Sequence, residues 1–352
     1  MSIKSNQYNP TFAIMKGIAI ISVVICHCPS NTFIEDFVNQ YHLAVFFFVA
    51  GYFFKTKYLS NMKKFVGKRV KSLYVPFVSF CLTFLLLHNF FYRIDLYSTP
   101  LTISESVLGG GKILFKLACF EPLMGAMWFC PALLIVSLLS FGIMKITEKH
   151  TSIRHYVFIG AAFVGAVCCH LHIKSPYCLW QYLQVCIIFY MGFVFRQFEL
   201  LFKNAWIKII FFFISVLGLL LFTWCGIMAH LQPDNISKEN VLMLMIIALI
   251  GCIGVYCISS LLSELKIGKL LASIGDYSFS IMALHFIAFK VVILLQCYVY
   301  EQSFSKLSSF PCLFTSNYWW VAYTFVGVLL PIIVSKSVYI FINKFKDYKI
   351  NE

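Results

Sequence analysis

The stretch FAIMKGIAIISVVICHC, residues 12–28, is apolar apart from Ser22 and two ionisable side chains, Lys16 near its start and His27 near its end. It has no polar face repeating every 3.6 residues, so it is not the amphipathic helix of a soluble protein. It approaches the roughly 20 residues that a hydrocarbon core of about 30 Å requires of a spanning helix. Nine further apolar segments follow, near residues 41–55, 73–92, 127–144, 155–172, 178–195, 205–225, 241–260, 275–297 and 319–342. The whole chain agrees with its first run. Of 352 residues, 61% are apolar and only 12% charged, against the roughly 45–50% apolar of a soluble domain. These values exclude an ordinary soluble enzyme. They predict an all-α, polytopic integral membrane protein with about ten transmembrane helices in a single domain over residues 1–352.

The formal net charge of +14 would suggest nucleic acid in a soluble protein, but here most of it sorts by side of the membrane. Arg93, Lys112, Lys116, Lys174, Lys238 and Lys306 fall in segments on one side, and Lys290 and Lys336 lie inside apolar runs. All the other Lys and Arg, from Lys4 to Lys349, fall on the opposite side. Positive segments stay in the cytoplasm, so both termini are expected there, in a multi-pass protein of the cell inner (plasma) membrane, with no nucleic-acid partner. The 14 Cys include several inside apolar runs, where thiols act as small hydrophobes, so no disulfide scaffold is expected. The first run lacks a small-residue cleavage site and is expected to remain as a membrane helix. The longest outer segment, Arg93 to Gly125, carries Gly109, Gly110 and Gly111, which reads as a loop with a flexible tip.

Ionisable groups at membrane depth are costly and mark functional sites. Lys16 and His27 are eleven residues apart, about three helical turns, so both lie on nearly one face with roughly 16 Å between them in height. A cation near the inner surface could meet an anionic group while an imidazole, with an ordinary pKa near 6.5, serves proton transfer deeper in. The simpler alternative is that Lys16 anchors the helix end and His27 bonds a neighbour. A second group, Lys63, Lys64, Lys68, Arg69 and Lys71, precedes the run containing Pro76. It reads either as a positive-inside signal attracting anionic lipid or as a phosphate clamp. His42 and His285 lie at or within apolar segments and could equally be hydrogen-bonded core residues. Cys26, His27 and Cys28 are adjacent and point in different directions on a helix, so no metal site is expected.

Together these residues resemble the membrane-bound acyltransferase 3 family, and within it the stand-alone branch similar to fucose 4-O-acetylases and related sugar O-acetyltransferases. The resemblance runs over nearly the whole chain. It rests on a basic residue and a histidine separated by ten residues (Lys16, His27), the stretch from Tyr41-His42 to Gly51-Tyr52, and Lys68-Arg69 before Pro76. Met127-Trp128-Phe129-Cys130-Pro131-Ala132-Leu133 and Ile274-Gly275-Asp276-Tyr277-Ser278 with His285 complete it. Members often carry an Asp three residues before the first-helix Lys-Gly, where this chain has Ala13. If that Asp helps to position the cation or the donor, this protein must do so otherwise or be less active.

The resemblance implies an acyl-CoA donor, most often acetyl-CoA, used as co-substrate from the cytoplasm. It implies as acceptor a hydroxyl of a surface glycan or its lipid-linked precursor, with membrane lipid as surroundings. His27 would be the general base, Lys16, Lys68 and Arg69 would serve the donor, and His42, Trp128 and His285 would shape the acceptor pocket or stabilise the oxyanion. An acyl-histidine intermediate is an alternative. Two other functional classes compete: a glycan exporter or flippase-like transporter of the same fold, and a non-catalytic partner of a glycan synthase.

Overall fold

The computed structural model describes residues 8–232, 236, 240–316 and 318–350, with side chains as far as residue 341. Lys4 and Lys238, and the side chains of Lys344, Lys346 and Lys349, lie outside the described residues. Fourteen α-helices organise the described chain: α1 (Pro10–Cys26), α2 (Thr32–Asn39), α3 (His42–Tyr52), α4 (Met62–Arg69), α5 (Val75–Arg93), α6 (Ile103–Lys116), α7 (Phe129–Ile146), α8 (Arg154–His170), α9 (Leu179–Phe198), α10 (Ala205–Trp224), α11 (Val241–Leu262), α12 (Lys266–Asp276), α13 (Ser278–Val299) and α14 (Trp319–Ile350). No strand occurs among the described residues. Eight helical stretches there are long and apolar enough to cross a membrane, so the protein is an all-α polytopic membrane protein. The other two apolar segments form α1, of 17 residues, and α3, of 11. At 1.5 Å per residue these rise about 25 Å and about 16 Å.

The core is built around α1, which is buried along most of its length and packs against α3, α11, α12, α13 and α14. Helices packed in lipid gain little from hydrophobicity and rely on close approach through small residues. Two crossings show it. A Cβ on Gly17 would stand 2.1 Å from Leu271 O and one on Gly275 1.8 Å from Ala13 O, so only glycines allow α12 to lie so close to α1. Gly51 and Gly192 do the same for α3 and α9, where added Cβ atoms would lie 1.7 Å from Phe189 O and 1.9 Å from Phe48 O. At the periphery, α10 turns Phe211, Phe213, Ile214 and Leu217 outward, the expected face toward lipid.

α4 and α5 form one rod, joined by a π-helical turn over Val70–Tyr74. Pro76 has no N–H to return to Ser72, and its ring would crowd that carbonyl in a regular helix. The wider turn, with Val75 N bonded to Val70 O, relieves the crowding. The glycine triplet is not a loop tip. Gly109, Gly110 and Gly111 lie within α6, started by a capping box in which Thr102 and Glu105 satisfy each other's backbone N–H groups. Gly109 rests on the Phe120 ring, where a Cβ would approach Cδ1 to 2.8 Å. The glycine there serves close packing rather than flexibility.

Candidate active site

Lys16 lies one and a half turns into α1, half-buried, with Nζ 4.0 Å from Asp276 Oδ1. Asp276 ends α12, and the Gly17–Gly275 crossing brings it alongside. Its other oxygen accepts from Tyr8 Oη at 3.0 Å. Burial, and then this carboxylate, raise the Tyr8 phenol pKa, so Tyr8 stays a donor at neutral pH. Asp276 thus faces Lys16 from another helix, and Ala13 and Asp276 line the same cavity.

That cavity, of about 670 Å³, opens beside the starts of α1 and α13 and the end of α3, and carries Lys16, Lys55, Lys68 and Arg69 with Asp276 as its acidic member. Arg69 holds its guanidinium over the Phe65 ring, 5.4 Å from the centroid. Phe65 is itself stacked on Phe141 at 4.9 Å. Lys68 donates to Tyr58 Oη at 3.4 Å. Lys63, Lys64 and Lys71 do not line the cavity and are exposed. The basic group of α4 thus divides into two residues that face the cavity and three that face away.

At the other end of α1, His27 follows the last helical residue. A smaller chamber of about 30 Å³ is lined there by His27, His42, Trp128, Cys26 and Gln232 among others, room for about one water. Ile20, Phe46, Phe129 and Met282 line both spaces. They form the wall between the cationic mouth and the histidine chamber.

Three imidazoles share one arrangement. His27 Nδ1 lies 2.9 Å from Val23 O, and His42 Nδ1 lies 2.6 Å from Val38 O. His285 Nδ1 lies 2.9 Å from Ile281 O and 3.1 Å from Met282 O. A carbonyl only accepts, so each Nδ1 carries a proton, and in the neutral form of each ring the lone pair is on Nε2. The His285 ring is fully buried, its centroid 5.0 Å from that of His27, and its Nε2 has no partner. Phe286 packs edge-on to His27 at 4.7 Å.

All seven residues singled out from the sequence lie along this axis: Lys16, Lys68 and Arg69 at the mouth, His27, His42 and Trp128 around the chamber, and His285 against His27. Sequence reasoning did not single out Tyr8, Lys55 or Gln232, and quoted Asp276 only within the Ile274–Ser278 element, with no role of its own. Asp276 carried a usable signal, an acidic residue beside a helix-end glycine in a basic, apolar chain.

A family model described as an acyltransferase domain, that of the acyltransferase 3 family, matches residues 9–336. The chain belongs to the acyltransferase 3 family. It is therefore a membrane acyltransferase, and the matched region holds the mouth, apart from Tyr8, and the whole chamber. No curated protein and no solved structure matches the chain.

Proposed function

We propose that this acyltransferase moves an acetyl or other short acyl group from acyl-CoA to a hydroxyl of a surface glycan or its lipid-linked precursor, as a sugar O-acetyltransferase similar to the fucose 4-O-acetylases. It would work in the cell inner membrane with both termini in the cytoplasm. The observation that carries this reading is the placement of opposite chemistries at the two ends of α1. Four cations and one carboxylate surround a cavity of about 670 Å³, and a histidine with a free Nε2 lone pair lines a chamber roughly 16 Å further along the helix. A CoA headgroup is polyanionic and suits the cationic mouth. Its thioester ends a long flexible arm suited to crossing the wall of Ile20, Phe46, Phe129 and Met282.

In the reaction so read, His27 Nε2 takes the proton of the acceptor hydroxyl as its oxygen attacks the thioester carbonyl. The tetrahedral oxyanion collapses, the C–S bond breaks, and the His27 imidazolium returns the proton to the CoA thiolate. The Nδ1–H bond to Val23 O fixes the ring and its tautomer through both transfers. His42 and His285 also present lone pairs at Nε2, so they accept rather than donate. His42, which lines the chamber, suits a hydroxyl of the acceptor, and His285, buried beside His27, suits the protonated His27, whereas Trp128, through its indole N–H, is the donor available to an oxyanion.

The test is transfer of radiolabelled acetyl from acetyl-CoA to glycan in membranes holding wild type or His27→Ala, with the glycan pathway present. Loss of a general base lowers the rate by about 10²–10⁴-fold. Wild-type labelling by His27→Ala at equal expression would sink the assignment.

A further inference from the structure

His27 ends α1 on the side away from the cationic mouth, and the segment lying against it there is 304–314, between α13 and α14. Three buried polar side chains that the proposed chemistry does not use hold this segment. Lys290 Nζ, on α13, donates to Leu307 O at 3.0 Å and Ser309 O at 2.7 Å. Gln296 donates through Nε2 to Phe314 O at 2.7 Å and accepts at Oε1 from Phe314 N at 3.3 Å and Tyr323 Oη at 2.7 Å. Tyr323 Oη accepts from Leu313 N at 3.1 Å. A lysine in an apolar helix is expensive, and an aliphatic residue would pack α13 as well. Its two bonds to loop carbonyls indicate that the position of the segment is what the lysine secures.

The held segment touches the site. Cys312 Sγ donates to His27 O at 3.6 Å. The Phe310 ring lies 4.8 Å from Phe286, which packs against both His27 and His285. Gly125, three residues before Trp128, faces the same two phenylalanines, with space for a Cβ 3.6 Å from Phe286 and 4.0 Å from Phe310. The mouth is remote, since α13 meets it through Ser278, Phe279 and Met282 at its opposite end.

We propose that Lys290 and Gln296 are positioning residues which hold segment 304–314 against His27, so that Phe310 seats Phe286 on the imidazole that the acceptor hydroxyl must reach. This rests on the reading above that the acceptor meets His27 from the side opposite the donor mouth.

Full-length Lys290→Met and Gln296→Leu in membranes test it with two readouts. The first is alkylation of Cys312 by a water-soluble maleimide, followed by peptide mass spectrometry, which requires no turnover. Both variants should raise its rate by about tenfold or more, equivalent to about 1.4 kcal/mol of lost hold on the segment. The second is steady-state transfer, in which KM for the acceptor should rise by a similar factor while acyl-CoA affinity stays at the wild-type value. Lys290→Arg should recover part of both, and Val291→Ala, on the exposed neighbouring side of α13, should change neither. Unchanged Cys312 labelling in both variants would overturn the proposal. So would faster labelling with an unchanged acceptor KM, or an equal loss of donor affinity. Absence of transfer by wild type would instead defeat the proposed function, and the labelling would still decide whether Lys290 and Gln296 hold the segment.

Discussion

Replacing Asp276 by Asn should tighten acyl-CoA binding. Lys16 Nζ and Asp276 Oδ1 are 4.0 Å apart, with side chains 31% and 45% exposed. Two unit charges at that distance attract by about 1 kcal/mol in water and about 4 kcal/mol at an effective dielectric of 20. Exposure on this scale places the pair toward the lower figure, and exposed pairs are worth about 0.2–1 kcal/mol. The fold should therefore tolerate Asp276→Asn. A polyanion entering the mouth, by contrast, is repelled by Asp276 and competes with it for Lys16. Removing the carboxylate then favours the anion by up to about 1 kcal/mol, or about fivefold in Kd. Calorimetric titration of purified protein with acetyl-CoA, at about 0.05 M and about 0.3 M salt, reads the change and its screening. The gain should shrink at the higher salt and in a Lys16→Met background, where the cycle isolates the coupling of the two residues. Equal or weaker binding by Asp276→Asn would refute a mouth that recognises phosphates. A gain that Lys16→Met leaves undiminished would remove Lys16 from donor recognition.

Two further substitutions probe the mouth and the frame. Arg69→Lys keeps the charge but loses the planar fork and its stacking on Phe65, so donor affinity in the same titration should fall by about 3–10-fold; unchanged affinity would make Arg69 a charge and nothing more. Gly192→Ala should destabilise the protein by about 1–3 kcal/mol in thermal unfolding, because its Cβ would stand 1.9 Å from Phe48 O, while Gly142→Ala in α7, with nothing within 4 Å, should be neutral or stabilising by about 0.5–1 kcal/mol.

The ten apolar segments were legible because each is a local property of the sequence, and each coincides with a helix. The helices that hydropathy passed over are the more polar ones. α6 was legible in principle, since Thr102 and Glu105 stand at the spacing of a capping box, but three successive glycines outweighed that signal. Of the three, only Gly109 has a close packing partner, the Phe120 ring, against which a Cβ would crowd. The same division holds at the site. Lys16 and His27 share one helix, so their register could be read by counting residues. Asp276 reaches Lys16 only because Gly17 and Gly275, 258 positions apart in sequence, let two helices touch backbone to backbone, and no count along the chain reports a crossing. The split of the basic group, Lys68 and Arg69 inward and Lys63, Lys64 and Lys71 outward, likewise follows from where the rod of α4 lies against the cavity.

The shortness of α1 and α3 bears directly on function. Irregular backbone at membrane depth is tolerated where it lines a cavity or is buried in protein. Had α1 run on to the far surface, position 27 would have been one more site within a continuous helix. Instead α1 stops at Cys26, the chain turns through α2, and α3 begins at His42. Both histidines sit at these helix ends and line the same chamber. The Nδ1–H bonds of His27 to Val23 O at the end of α1 and of His42 to Val38 O at the end of α2 leave both Nε2 atoms for other partners. The return of α3 also carries Phe53, Phe54 and Lys55 back to the mouth where α1 began. One broken hairpin thus supplies residues to both spaces, and the wall between them includes Ile20 from its first helix and Phe46 from its second. On the proposed reading, a group held at the mouth meets one held in the chamber past Ile20, Phe46, Phe129 and Met282, the four side chains common to both spaces.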